Sequence, residues 1–235
     1  MGEIADNLTE IKGRIAAACG RARRDPAAVE LIAVSKTFPA AAVREASAAG
    51  HQHFGESRLQ EAEPKIEALP GYLHWHFIGR VQRNKVRRIL PRFAVIHAID
   101  SMELASYVNE TARELGLFPQ VFLQVNVAGE ASKGGFEAAG LRTAMAGLLA
   151  LDRVEVLGLM TIPPLGPAAD DARPWFVALR NLRDELAAEF GVPLTGLSMG
   201  MSGDFEVAIE EGATHVRVGS AIFGARAYRV DGELG

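Results

Sequence analysis

At 235 residues, 49% hydrophobic and 23% charged, the chain has the composition of an ordinary globular protein with ample material for a core, at a length common for single α/β barrels. A formal net charge of −4 gives no support to a nucleic-acid partner engaged across the whole surface. The single cysteine, Cys19, excludes an internal disulfide, and no apolar stretch is long enough to span a bilayer; with no secretory leader visible, a soluble cytoplasmic protein is the expectation.

The chain begins with Ile4, Leu8, Ile11, Ile15 and Cys19 at helical spacing, an amphipathic helix that ends before Asp25-Pro26. Strands and helices then alternate. The predicted strands run over 30–35, 53–56, 75–79, 94–99, 121–127, 154–161, 194–199 and 216–220. The clearest helix between them carries Trp175, Phe176, Leu179, Leu182, Leu186 and Phe190, with Pro174 in its first turn. Arg80, Arg83, Lys85, Arg87, Arg88 and Arg92 form a basic stretch that reads as a solvated helix face in preference to a phosphate-binding or RNA-binding one. Eight strands alternating with helices predict a single (β/α)8 TIM barrel with an additional N-terminal helix, one domain over residues 1–235. A doubly wound open sheet is the alternative. Little chain follows the last strand, so the N-terminal helix is expected to cover the bottom or side of the barrel there.

In such a barrel, chemistry sits at the C-terminal ends of the strands. Lys36 follows the apolar run Leu31-Ile32-Ala33-Val34-Ser35. Taken alone, such a lysine is more often a strand-end residue snorkelling to water. The last strand reverses that reading. His215-Val216-Arg217-Val218 places a cation within an apolar run, and Gly219-Ser220 follows with bare backbone N–H groups and a hydroxyl, which suit a phosphate. Gly200-Met201-Ser202 ends the seventh strand, and barrel phosphate sites commonly use the loops after strands seven and eight. Closure brings the eighth strand beside the first. A desolvated lysine able to take an aldehyde, a buried arginine and a phosphate cradle together point to pyridoxal 5′-phosphate, held by Lys36, Met201, Ser202, Arg217, Gly219 and Ser220.

These residues sit in a wider pattern. Leu31-Ile32-Ala33-Val34-Ser35-Lys36-Thr37, Phe54-Gly55-Glu56, and Trp75-His76-Phe77-Ile78-Gly79 with Gln82, Asn84 and Lys85 come first. Ser132-Lys133-Gly135-Phe136, Gly158-Leu159-Met160, Ser198-Met199-Gly200-Met201-Ser202, Arg217-Val218-Gly219 and Ala221-Ile222-Phe223-Gly224-Ala225-Arg226 follow in order. In this set the chain resembles the pyridoxal phosphate homeostasis proteins over nearly its whole length. The resemblance implies that Lys36 is the internal aldimine lysine, that Arg217 meets the pyridine nitrogen and that Ser202, Gly219 and Ser220 hold the phosphate. It implies as partners the cofactor itself and apo-enzymes that need it, with a monomer, no membrane and no nucleic acid. The pattern departs at Ser57, where family members usually carry asparagine; serine is shorter and lacks the amide donors, which puts direct contact from this position in doubt.

The barrel also resembles the N-terminal domain of bacterial alanine racemases, so a weak amino-acid racemase is the alternative function. Those enzymes take a second acid–base residue from a further domain, for which this sequence shows no counterpart. An arginine at the ring nitrogen cannot hand over a proton, which leaves the ring a weak electron sink. A non-catalytic carrier is therefore the expectation. A third class, a metal-dependent hydrolase, is suggested by His51-x-His53 and His74-x-His76. Both pairs fall at strand starts, away from the catalytic rim, so they are expected to be structural or surface histidines and no metal ligand is assigned. Lys133 reads as a solvated loop lysine or a second amine that captures incoming cofactor. Met160 reads either as a ring contact or as core. Asp100 and Asn126 read as ligand contacts or turn caps.

Overall fold

The structure, a computed structural model, describes residues 2–130, 134–164 and 166–225. Lys133 and Arg226 lie outside them. Among the described residues, eight parallel strands close into a barrel in sequence order: β1 (Glu30–Val34), β2 (His53–Glu56), β3 (His74–Phe77), β4 (Val95–Ile99), β5 (Gln120–Gln124), β6 (Glu155–Met160), β7 (Gly196–Met201) and β8 (His215–Val218). β8 pairs with β1, Ile32 opposite Arg217 and Ala33 opposite Val218, which excludes the open-sheet alternative. The predicted strands all form. β7 is displaced by two residues at both ends, beginning later than predicted and running on through Met201, where it is still registered against Arg217. Val125 leaves the regular ladder and forms an isolated bridge with Phe136 instead of extending β5 to Val127.

Helices α1 (Glu3–Arg21), α2 (Ala40–Ala48), α3 (Leu59–Ala68), α4 (Val86–Ile89), α5 (Met102–Leu115), α6 (Ala138–Leu149), α7 (Arg173–Phe190), α8 (Phe205–Glu210) and α9 (Ser220–Phe223) surround the strands. Outward strand residues such as Leu31, Ala33, Trp75 and Phe77 pack with helix residues such as Leu59, Ile89, Leu141 and Phe176 in one continuous core. α1 packs against α8, α9 and α2, at the side of the barrel. Its buried Leu8, Ile11, Ile15, Ala18 and Cys19 complete the coat where α8 and α9 are too short to do so. Asn7 Nδ2 donates to the Ile222 carbonyl at 2.9 Å, tying the first helix to the last.

The basic stretch is a 3-10 turn, Arg83–Lys85, followed by α4. Four of its six cations engage acidic or aromatic neighbours among the described residues: Arg87 pairs with Glu114, Arg88 and Arg92 with Glu63, and the Arg83 guanidinium stacks over Tyr107. Among the described residues, no helix is long and apolar enough to cross a membrane.

Candidate functional site

The first and last strands end on the same rim, and a cavity of about 430 Å³ opens there. All six residues named from the sequence line it: Lys36, Met201, Ser202, Arg217, Gly219 and Ser220. Convergence follows from closure, since β7, β8 and β1 are consecutive staves. A volume in this range suits a small organic cofactor. Asp204 and Ile78 line the cavity too, with the loop after β6 supplying much of its apolar wall, including Pro163 and Pro164.

Lys36 follows β1 and is half-buried. Beneath it lies a buried ion pair. Lys65 Nζ donates to Glu56 Oε1 at 2.7 Å and to the Ser35 carbonyl at 2.8 Å, and the Ser35 hydroxyl donates to the same Glu56 oxygen at 2.7 Å. Burial pushes the Glu56 carboxyl up, and the Lys65 charge opposes that rise. The ends of β1 and β2 and helix α3 are clamped together by these three bonds, one residue before Lys36.

Arg217 is buried within the barrel. Its Nη1 donates to Ser198 Oγ at 2.5 Å and its Nη2 to the Thr161 carbonyl at 2.9 Å. Burial lowers the guanidinium to about 10, with Asp204 opposing, so it stays charged at neutral pH. Ser202 Oγ accepts from the Gly219 amide at 3.1 Å, which joins the loops after β7 and β8. Asp204 is the N-cap of α8. Its Oδ1 accepts from the Met201 amide at 2.6 Å, and burial raises its pKa. Two glycines set the backbone. Gly200 has φ +92°, and a Cβ there would lie 2.6 Å from the Ala208 Cβ. A Cβ on Gly219 would meet the Val34 carbonyl at 3.3 Å, a tight contact that the missing atom relieves where β8 turns against β1.

Other sequence candidates fall elsewhere. Met160 is buried in the bore with Val95, Ala98 and Phe122, as core filler. Asn126 lines a neighbouring cavity with Gln124 and Ile162, and its Nδ2 donates to the Glu130 carbonyl at 2.9 Å. Asp100 and Ser57 are absent from the residues that line the main cavity, and the Ser57 carbonyl instead sits 2.2 Å from where a Gly79 Cβ would be. Sequence reading missed Asp204, Ser198 and Thr161 as the groups that hold the rim and Arg217. Alternation gives a partial signal for Ser198, which shares a strand face with Gly200.

The alanine racemase N-terminal domain family matches residues 7–227. A pyridoxal phosphate homeostasis protein of Aquifex aeolicus is 46% identical over 224 residues, covering 95% of this chain and 98% of that one. One from Pseudomonas aeruginosa is 47% identical over 232 residues, covering 97% and 98%. The structure of PipY from Synechococcus elongatus with PLP bound is similar at a TM-score of 0.82 and 41% identity, covering 94% of this chain and all of that one. An alanine racemase from Corynebacterium glutamicum shares the fold, with a TM-score of 0.75 at 19% identity, and this chain covers 63% of its length.

Proposed function

Because this chain belongs to the pyridoxal phosphate homeostasis proteins, a family built on the alanine racemase N-terminal domain, we propose that it binds pyridoxal 5′-phosphate on its C-terminal rim and keeps and hands on that cofactor without consuming it in catalysis. The observation that carries the reading is the meeting of Lys36, Arg217 and the Ser202, Gly219 and Ser220 turns in one cavity. The donor set fits the group. Lys36 offers an amine, Arg217 a charged donor in a dry strand, and the two glycine-containing turns offer hydroxyls and backbone amides to an anion.

The cofactor, when bound, supplies an electrophilic aldehyde. Lys36 is the amine that takes it. Arg217 is held by Ser198 and Thr161 against the wall of the bore with a charge that does not dissociate at neutral pH. It would therefore orient the ring of the bound cofactor and would supply no proton to its nitrogen. The ionisable side chains lining the cavity among the described residues are Lys36, Asp204 and Arg217, and Asp204 is engaged by the Met201 amide. Removing a substrate proton on one face and returning it on the other requires a second base within reach. Lys36 serves only one face, which supports a carrier over a racemase. Recipients are apo-enzymes that need the cofactor. The chain works as a cytoplasmic monomer, a reading supported by a buried, free Cys19 and by exposed large apolar side chains, Tyr72, Phe118 and Ile162, on separate loops among the described residues.

Purified protein mixed with pyridoxal phosphate should gain a visible absorption band, and borohydride should fix one adduct on Lys36. Lys36→Ala should abolish both. An adduct recovered on another lysine, or turnover of alanine by the wild type well above that of free cofactor, would overturn this reading.

A further inference from the structure

The opposite rim of the barrel carries a cluster that cofactor binding leaves unused. Glu30 begins β1, His53 begins β2 and His76 lies within β3, and all three turn into the bore. Their ligand atoms lie within 4.8 Å of one another. His53 Nδ1 is 3.2 Å from Glu30 Oε2, His76 Nε2 is 3.4 Å from Glu30 Oε1, and the two imidazole nitrogens are 3.2 Å apart. Ligands about 2.0–2.1 Å from a tetrahedral zinc ion lie about 3.3 Å from each other, close to the 3.2 Å between the two imidazole nitrogens, and each of those nitrogens has one of the two Glu30 oxygens at a similar distance. Glu30 Oε1 is buried and makes no hydrogen bond of good geometry among the described residues, with His76 Nε2 at 3.4 Å and His215 Nε2 at 3.5 Å beside it.

We propose that Glu30, His53 and His76 form a binding site for a divalent transition-metal ion, zinc by preference, at the base of the barrel. The set of two imidazoles and a carboxylate, with further positions left for water, is one that zinc accepts. Outer groups orient the ligands. His76 Nδ1 lies 3.1 Å from His97 Nε2, and His97 Nδ1 lies 2.8 Å from Ser198 Oγ, so His76 keeps its Nε2 directed at Glu30. Glu30 and His53 also line a cavity of about 400 Å³ beneath α1, which gives an ion a way in.

The site is tested on the full chain, stripped with chelator and titrated with Zn2+ by calorimetry in phosphate-free buffer. One equivalent should bind per chain, and Glu30→Gln and His53→Ala should each weaken binding by about a hundredfold or more while the Lys36 adduct with pyridoxal phosphate still forms. Substitution of Co2+ into the wild type needs no variant, and X-ray absorption should show nitrogen and oxygen ligands that include two imidazoles. Absence of stoichiometric binding by the wild type, or binding by both variants as tight as the wild type's, would overturn the proposal.

Discussion

Arg217 shows how one side chain acquires two environments. Its fork is committed to Ser198 and Thr161 on the strand wall, while its place in the cavity lining leaves it available to a ligand. Hydrogen bonds to charged groups are each worth about 1.5–3 kcal/mol, so Arg217→Ala should weaken pyridoxal phosphate binding by about 10-fold to 100-fold without preventing the borohydride adduct on Lys36. Equilibrium dialysis beside mass mapping of the adduct checks this; unchanged affinity would remove Arg217 from the site. Lys36 and Arg217 were legible as exceptions, being cations at or within apolar runs. Asp204 and Thr161 were not, because an acidic residue beside a helix start and a threonine at a strand end have ordinary local explanations. Glu30 was hidden for the same reason: a glutamate that opens a strand reads as solvated until the barrel brings His53 and His76 against it.

At the scale of the element, the ends of β1 and β2 and helix α3 depend on the Lys65–Glu56 pair. Both side chains are buried, and Glu56 Oε2 already has no partner among the described residues. Lys65→Ala would leave the buried carboxylate without a counter-charge, held only by the Ser35 hydroxyl, and should cost about 3–5 kcal/mol of unfolding free energy. Lys65→Met with Glu56→Leu should recover most of that loss, since a packed apolar pair avoids the desolvation of two charges. Urea unfolding of the three proteins decides it, and equal stability of Lys65→Ala and the wild type would show that the pair does not anchor these ends. The strands themselves were readable because a parallel strand covered on both faces is a nearly continuous apolar run. Their limits were less so: backbone pairing sets where a strand stops, and the pairing partner is remote in sequence, as at Val125 and Phe136.

Across the whole molecule, charge fastens α1 to the closing end of the barrel. Arg14 pairs with Glu206, Arg21 with Glu206 and Glu210, and Arg173 bridges Glu210 and Glu211. The Arg173 and Arg21 guanidiniums hold Glu210 below its ordinary 4.5; Glu206, which burial would raise, is drawn below 4.5 by Arg14 and Arg21. Carboxylates with lowered folded pKa values stabilise the fold above 4.5 and lose that contribution as pH falls below it. Arg173→Ala should therefore lower stability by about 1 kcal/mol at pH 7, and the difference from wild type should shrink toward pH 3. Urea midpoints across that range test it; a difference independent of pH would assign the loss to packing. By itself the sequence determined the alternation of strands and helices, the candidate amine and arginine that meet in the cavity, and the family, since hydrophobic period and motif are properties of neighbouring residues. Only the tertiary structure decided which inward side chains meet. Closure sets β8 beside β1 and aims β1, β2 and β3 into one bore, and those distances are fixed by strand register across the barrel, which no local stretch of chain encodes.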